Sequence, residues 1–430
     1  MSQPSGSIHE IRWREICPWL ILVKSLRASL FLRVLIIAWI AVLVTQGGWT
    51  FIEGVFSDPA DLPRIAQFDP ATAESSEVLV LHVTPQGDRV WRPSHDYSLN
   101  SSVVTRWLGS LLQQHKLGPL VEGWHWLSTP WVRIFRMETN LIEACQLFLC
   151  GTWGVVVWAL AGGAICRIAA RYMTRADIID PFASLRSAAS KWSATAGAPL
   201  VGLLFAGLVL FPLALMGVLL RIDLFALVAG LIWGLYLIWG IFLAVVLVAL
   251  WFGWPLAWAA IGVERCDALD AASRATSYVY QAPLRLVFYV VFATLLGIFG
   301  QLVLSGFATA GNELTDWAVS WGAGSERTAA LASQPLSENS TITSGTGVIG
   351  ARSIHFWKNM LSSFAASYPM AFLWCASTGI YLLQRHQVDS TEMDEIVGEP
   401  GENIRSPHAP LASGTQQDAT DPQELSTRRA

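Results

Sequence analysis

Residues 224–263 form a run of 40 positions without one charged side chain. A helix in a water-soluble domain turns a polar face to solvent, so hydrophobicity all round marks a bilayer span or a deeply enclosed helix. At ~1.5 Å per residue the run measures roughly 60 Å, about twice the hydrocarbon thickness of a bilayer. Shorter apolar runs recur along the chain, and the pattern predicts six spans: 30–49, 147–165, 198–220, 224–251, 284–308 and 360–383. The fourth is expected to end at Phe252-Gly253-Trp254-Pro255, where glycine and proline favour a break. Residues 256–263 then read as a short buried or interfacial return. As a further span they would flip everything after them.

Between the spans the polar positions divide the rest of the chain. Residues 1–29 form a cytoplasmic tail, and 50–146 an extracytoplasmic segment with amphipathic helices. Spans two to five occupy 147–308 and enclose a juxtamembrane helix at 264–283. A flexible outer loop at 309–359, rich in Gly, Ser and Thr over 321–350, leads into the sixth span. Residues 384–430 are an acidic, largely disordered tail, whose part from 389 on carries nine acids against three arginines. The expected fold class is all-α integral membrane with about six transmembrane helices and a small, mostly irregular α+β extramembrane segment. Within that segment 78–83 read as a short strand and 103–117 as a helix. Trp124-His125-Trp126 and Pro130-Trp131-Val132 read as an amphipathic stretch at the headgroups, with His125 an interfacial side chain.

Composition strengthens the membrane reading. Hydrophobic residues make up 53%, charged residues 14%, and mean hydropathy is +0.45, all displaced from soluble proteins. The 21 tryptophans suit a membrane–water boundary. A net charge of -4 leaves no electrostatic footprint for nucleic acid. The six cysteines lack C-x-x-C spacing and read as buried thiols, with no disulfide framework, metal or cofactor. Arg167, Arg171, Arg175, Arg186 and Lys191 crowd the connection between spans two and three, and Arg12, Arg14, Lys24 and Arg27 the N-terminal tail. Cytoplasmic loops collect such residues, which places both termini inside.

Candidate chemistry is concentrated in Glu264-Arg265-Cys266-Asp267-Ala268-Leu269-Asp270-Ala271-Ala272-Ser273-Arg274. Asp267 suits a helix N-cap, and Asp270 three residues on completes a weak capping box. Asp270 and Arg274 are spaced i,i+4 in the favourable order. Glu264, Asp267, Asp270 and Arg274 are the candidate functional cluster: first a helix held by its cap and one ion pair, second a charged group gating a path or binding lipid headgroups. Asp389, Glu392, Asp394 and Glu395 offer hard oxygen donors, but without the glycine turn of a calcium loop they read as a solvated helix start capped by Thr391. Gly230-x-x-x-Gly234, Gly202-x-x-x-Ala206 and Gly297 with Gly300 signal close helix packing.

The order Glu264, Asp267-Ala268-Leu269, Ser273, Tyr278 and a new span from Leu284 resembles that in a broad group of polytopic bacterial membrane families. They include the membrane domain attached to some glycerophosphodiester phosphodiesterases. The stretch from Ile380 to Arg385, with Asp389 to Ile396 after it, resembles the end of one uncharacterised six-helix bacterial family. The resemblance implies a multi-pass inner-membrane architecture. It implies no phosphodiesterase activity, since the soluble catalytic domain is missing from this sequence.

Residues 198–220, 224–251 and 284–308 contain no Asp, Glu, His or Lys, whereas ion-coupled transporters usually carry such a group near the midplane. The leading expectation is therefore a non-catalytic envelope scaffold or assembly factor. Its partners would be the lipid bilayer and envelope proteins or a second copy, with no nucleic acid. The alternative is a transporter or lipid-handling protein that uses a broken helix at Pro255 and the Glu264–Arg274 cluster.

Overall fold

A computed structural model describes residues 17–56, 118–134, 140–175, 180–332 and 345–391. All of them belong to one compact unit. After a short 3-10 turn, Pro18–Leu20, come α1 (Ile21–Ser29), α2 (Leu32–Phe56), α3 (Pro119–Ile134), α4 (Leu141–Arg175), α5 (Pro181–Ser190) and α6 (Trp192–Leu219). They are followed by α7 (Asp223–Glu264), α8 (Ala268–Gln281), α9 (Pro283–Ala323), α10 (Ser325–Ala332), α11 (Gly345–Ala366) and α12 (Tyr368–Val388). About 93% of the described residues are helical and none is in a strand. The fold is all-α. The expected strand at 78–83 and helix at 103–117 lie outside the described residues.

Five helices are long and apolar enough to cross a membrane: α2, α4, α6, α7 from Leu224 onward, and α9. The sixth predicted span is different. Residues 360–366 belong to α11, Ser367 forms the joint, and α12 starts at Tyr368 with Pro369 in its first turn. Every residue from Tyr368 to Arg385 is buried. A helix wrapped by protein on all sides can carry the Ser, Thr, Tyr and Gln that a lipid-facing helix cannot.

Helix directions follow from paired contacts. Phe31 meets Tyr172 while Trp49 donates to the Cys150 carbonyl, so α2 and α4 run antiparallel. Gly202 faces Leu250 and Val209 accepts from Trp239, so α6 and α7 form an antiparallel hairpin. Gly297 faces Phe372 and Gly300 faces Tyr368, which sets α9 against α12. By contrast α4, α7 and α12 run parallel. Trp158, Trp258 and Trp374 meet in one place, and Arg167 reaches Gly262 further along.

Those three tryptophans form the centre of the core. Trp374 stacks on Trp258 at 4.7 Å and 21°, and its ring lies 6.1 Å from Trp158. Trp254, Trp124, Trp126 and Trp49 continue the cluster, mostly in edge-on pairs. Such geometry suits the ring quadrupole and adds to the large area each indole buries. Rings this wide need glycine opposite them. A Cβ on Gly162 would come 3.0 Å from Trp374, and one on Gly262 2.7 Å from the Cys166 Cβ.

Packing overrides several sequence rules. Helix α7 does not break at Pro255 but runs unbroken to Glu264, and residues 256–263 are among the most buried in the chain. Proline forfeits one backbone hydrogen bond, and the dense contacts of Trp254, Trp258 and Gly262 offset the loss. The expected return segment and broken helix are therefore both replaced by one long helix. The outer loop at 309–359 is also mostly helix: α9 continues to Ala323, and α10 and α11 follow; residues 333–344 lie outside the described residues. Trp124, Trp126 and Pro130 are buried against the bundle instead of lying at a headgroup surface. Gly202 and Ala206 face α7 or are buried as expected, whereas Gly230 and Gly234 meet nothing within 4 Å. The hairpin of α6 and α7 is the most exposed part of the fold, with 17% and 11% of its most apolar stretches buried.

Gly262→Leu should lower the thermal midpoint of the purified protein in detergent, because overpacking a tight core costs about 1–3 kcal/mol or more. Gly234→Leu, facing open space, should leave the midpoint unchanged. Equal midpoints for both variants would contradict the close α4–α7 approach.

Candidate functional site

Helix α7 ends because Arg265 adopts a left-handed conformation (φ 56°) and turns the chain away. Asp267 then sits extended at the start of α8, which carries Asp270 and Arg274 on successive turns. This turn brings Glu264 against α8 and the far end of α12 together.

The Glu264 carboxylate is buried, with a side-chain exposure of 9%, and it has three donors. Arg274 Nη1 lies 2.5 Å from Oε2, the Tyr381 hydroxyl donates to Oε1 at 2.6 Å, and Arg385 Nε lies 3.1 Å from Oε1. Arg274 also donates through Nε to Asp270 at 2.9 Å. Tyr278, its ring 5.6 Å from Tyr381, donates its hydroxyl to Asp389. One carboxylate thus joins α7, α8 and α12. Burying a charge is costly unless partners replace its water, and here two guanidinium groups and a phenol do so. Three of its roughly four acceptor positions are occupied, which leaves a poor nucleophile or general base.

The structure brings together Glu264, Asp270 and Arg274 of the expected cluster. Asp267 stays apart. It occupies the N-cap position but makes no side-chain cap bond, and its carboxylate takes Lys191 at 3.2 Å instead. Tyr278, Tyr381, Arg385 and Asp389 are the members that local spacing did not reveal. Tyr381 and Arg385 are one helical turn apart, the signal that both face one way. Nearby, Arg167 Nη1 reaches the Gly262 and Val263 carbonyls at 3.2 and 3.5 Å, closing the end of α7. Thr391 is not followed by described residues, so the proposed acidic helix start falls outside them. His125, singled out between two tryptophans, has its Nδ1 3.3 Å from Thr129 Oγ1.

Two cavities stand out among the described residues, and neither is lined by Glu264, Arg274, Tyr381 or Arg385. One is a niche between α4, α5 and the end of α7. The other is an apolar depression beside Ile134, Cys145 and Phe148. The environment also shifts two side chains outside the spans. Burial, then the adjoining Asp389 carboxylate, hold the Tyr278 phenol above its ordinary range. Burial, then the Glu264 charge, push the Cys266 thiol up to about 11.

Removing the Glu264 charge should cost far more than removing Asp270. Breaking a buried pair from one side costs roughly 3–5 kcal/mol, an exposed i,i+4 pair about 0.3–0.5 kcal/mol. Glu264→Gln should therefore lower the detergent melting midpoint clearly and Asp270→Asn hardly at all; equal effects would contradict the lock. Thiolate, not thiol, reacts with maleimide. Cys266 should thus label far more slowly than exposed Cys145 at neutral pH, with a rate that climbs as pH rises toward 11. Rapid labelling of both by mass spectrometry would count against the enclosed site. Known family models, characterised proteins and solved structures contain no match to this chain.

Proposed function

We propose that the chain is a non-catalytic, multi-pass protein of the bacterial inner membrane that scaffolds or assembles envelope components. The observation that carries this reading is the internal use of its charges. The one buried acid of the candidate cluster spends its acceptor capacity on Arg274, Arg385 and Tyr381, holding three helices together. Charge arranged for turnover or transport would instead face a cavity. The transporter alternative loses its main support, since α7 is continuous through Pro255.

Six traversals with both termini cytoplasmic are the finer form of the proposal. The alternating directions of α2, α4, α6, α7, α9 and α12 support it, as do the basic residues between α4 and α6. Helix α12 would be the sixth, shielded from lipid by the other five. The exposed apolar sides of α6 and α7 suit lipid, an envelope partner or a second copy.

A reporter active only in the periplasm, fused after Val388, should be silent. Strong activity there would require an odd number of traversals. In liposomes under a pH gradient, the purified protein should drive no solute accumulation. Accumulation abolished by Glu264→Gln would replace the scaffold with a transporter.

A further inference from the structure

The niche beside the Glu264 lock is lined by charge of one sign. Its volume is about 10 Å³, room for one water or one anionic oxygen. Arg167, Lys191, Arg265, Ser187 and Thr195 contribute to its walls, and no carboxylate does. The cations come from three separate parts of the chain: the body of α4, the junction of α5 and α6, and the turn after α7. Arg167 is only 3% exposed and fixed by the carbonyls it closes. Arg265 is held by Ser187 at 2.5 Å and Ser190 at 2.8 Å. Lys191 stands at the rim, where its partner Asp267 has an 87% exposed side chain.

Three like charges drawn together on helices this apolar repel one another, and an anion between them relieves the repulsion. Serine and threonine hydroxyls add neutral donors of the kind that complete a phosphate site. We propose that this niche binds the phosphate of an anionic phospholipid headgroup, one non-bridging oxygen entering between Lys191 and Arg265. The lipid is favoured over free phosphate because exposed apolar side chains adjoin the rim: Phe182 on α5, Trp192 next to Lys191, and Leu200 further along α6. Basic pockets between transmembrane helices hold acidic headgroups in this way. The proposal rests on the membrane reading above, and displacement of Asp267 from Lys191 is part of it.

Native mass spectrometry of the full chain in mild detergent, titrated with phosphatidylglycerol or with phosphatidylcholine of the same acyl chains, tests it. Phosphatidylglycerol should bind more tightly. Lys191→Gln and Arg265→Gln should each weaken it by roughly fivefold, the effect of one juxtamembrane cation, while Asp267→Asn should strengthen it. A purely structural role for these side chains would not produce that opposite sign. Equal binding of the two lipids by the wild-type chain, or lipid binding untouched by all three variants, would overturn the proposal even if Arg265→Gln failed to fold. Inorganic phosphate serves as the second arm. Competition at concentrations similar to the lipid would assign the niche to the free anion, and no competition assigns it to the headgroup. A chain that stays monodisperse without detergent would refute the membrane reading separately, leaving the phosphate arm to decide on the niche.

Discussion

The arrangement depends on one buried carboxylate. Glu264 lies where α7 ends, and water is largely excluded from it, so its charge is tolerable only with donors supplied by other helices. Arg274 comes from α8, and Tyr381 and Arg385 from α12. None of these contacts is local to α7. The chain must therefore turn sharply at Arg265, lay α8 back along α7 and bring in the far end of α12 before the charge is satisfied. A helix end that would otherwise fray is fixed to two neighbours.

The indole cluster imposes a second condition, on shape and not on charge. Trp158, Trp258 and Trp374 fill the space between three parallel helices, and glycines at 162 and 262 let those helices close around them. Together the two conditions explain why α12 is the least lipid-like of the long helices and yet the most enclosed. Its Tyr381 and Arg385 serve the lock, its Trp374 serves the stack, and the surrounding helices take the contact with lipid. The α6–α7 hairpin is the converse. It contributes little to the core and offers nearly all its apolar surface outward.

Much of this was legible in the sequence, and the misses share one cause. Charge-free runs located the long helices, and the i,i+4 spacing gave the Asp270–Arg274 pair directly. Glu264 and Tyr381 lie 117 residues apart, and no local rule connects them, so half of the site was invisible although each half drew attention by itself. The Pro255 break failed because a propensity rule costs a few kcal/mol at most and dense packing can outweigh it. The glycine- and serine-rich stretch near 321–350 was read as loop for the same reason, whereas its described residues extend α9 and build α10 and α11. Gly230 and Gly234 show the opposite failure, a packing motif with no partner inside the chain.

A double-mutant cycle across the longest link of the lock tests the central claim most directly. Glu264→Gln, Arg385→Gln and the pair together would be unfolded in detergent and compared with the wild type. Residues joined within one buried network couple by about 0.5–3 kcal/mol. The account predicts a double variant clearly less damaged than the sum of the two single ones. Strictly additive losses would mean that Glu264 and Arg385 do not depend on each other, and the helices would have to be held together by packing alone.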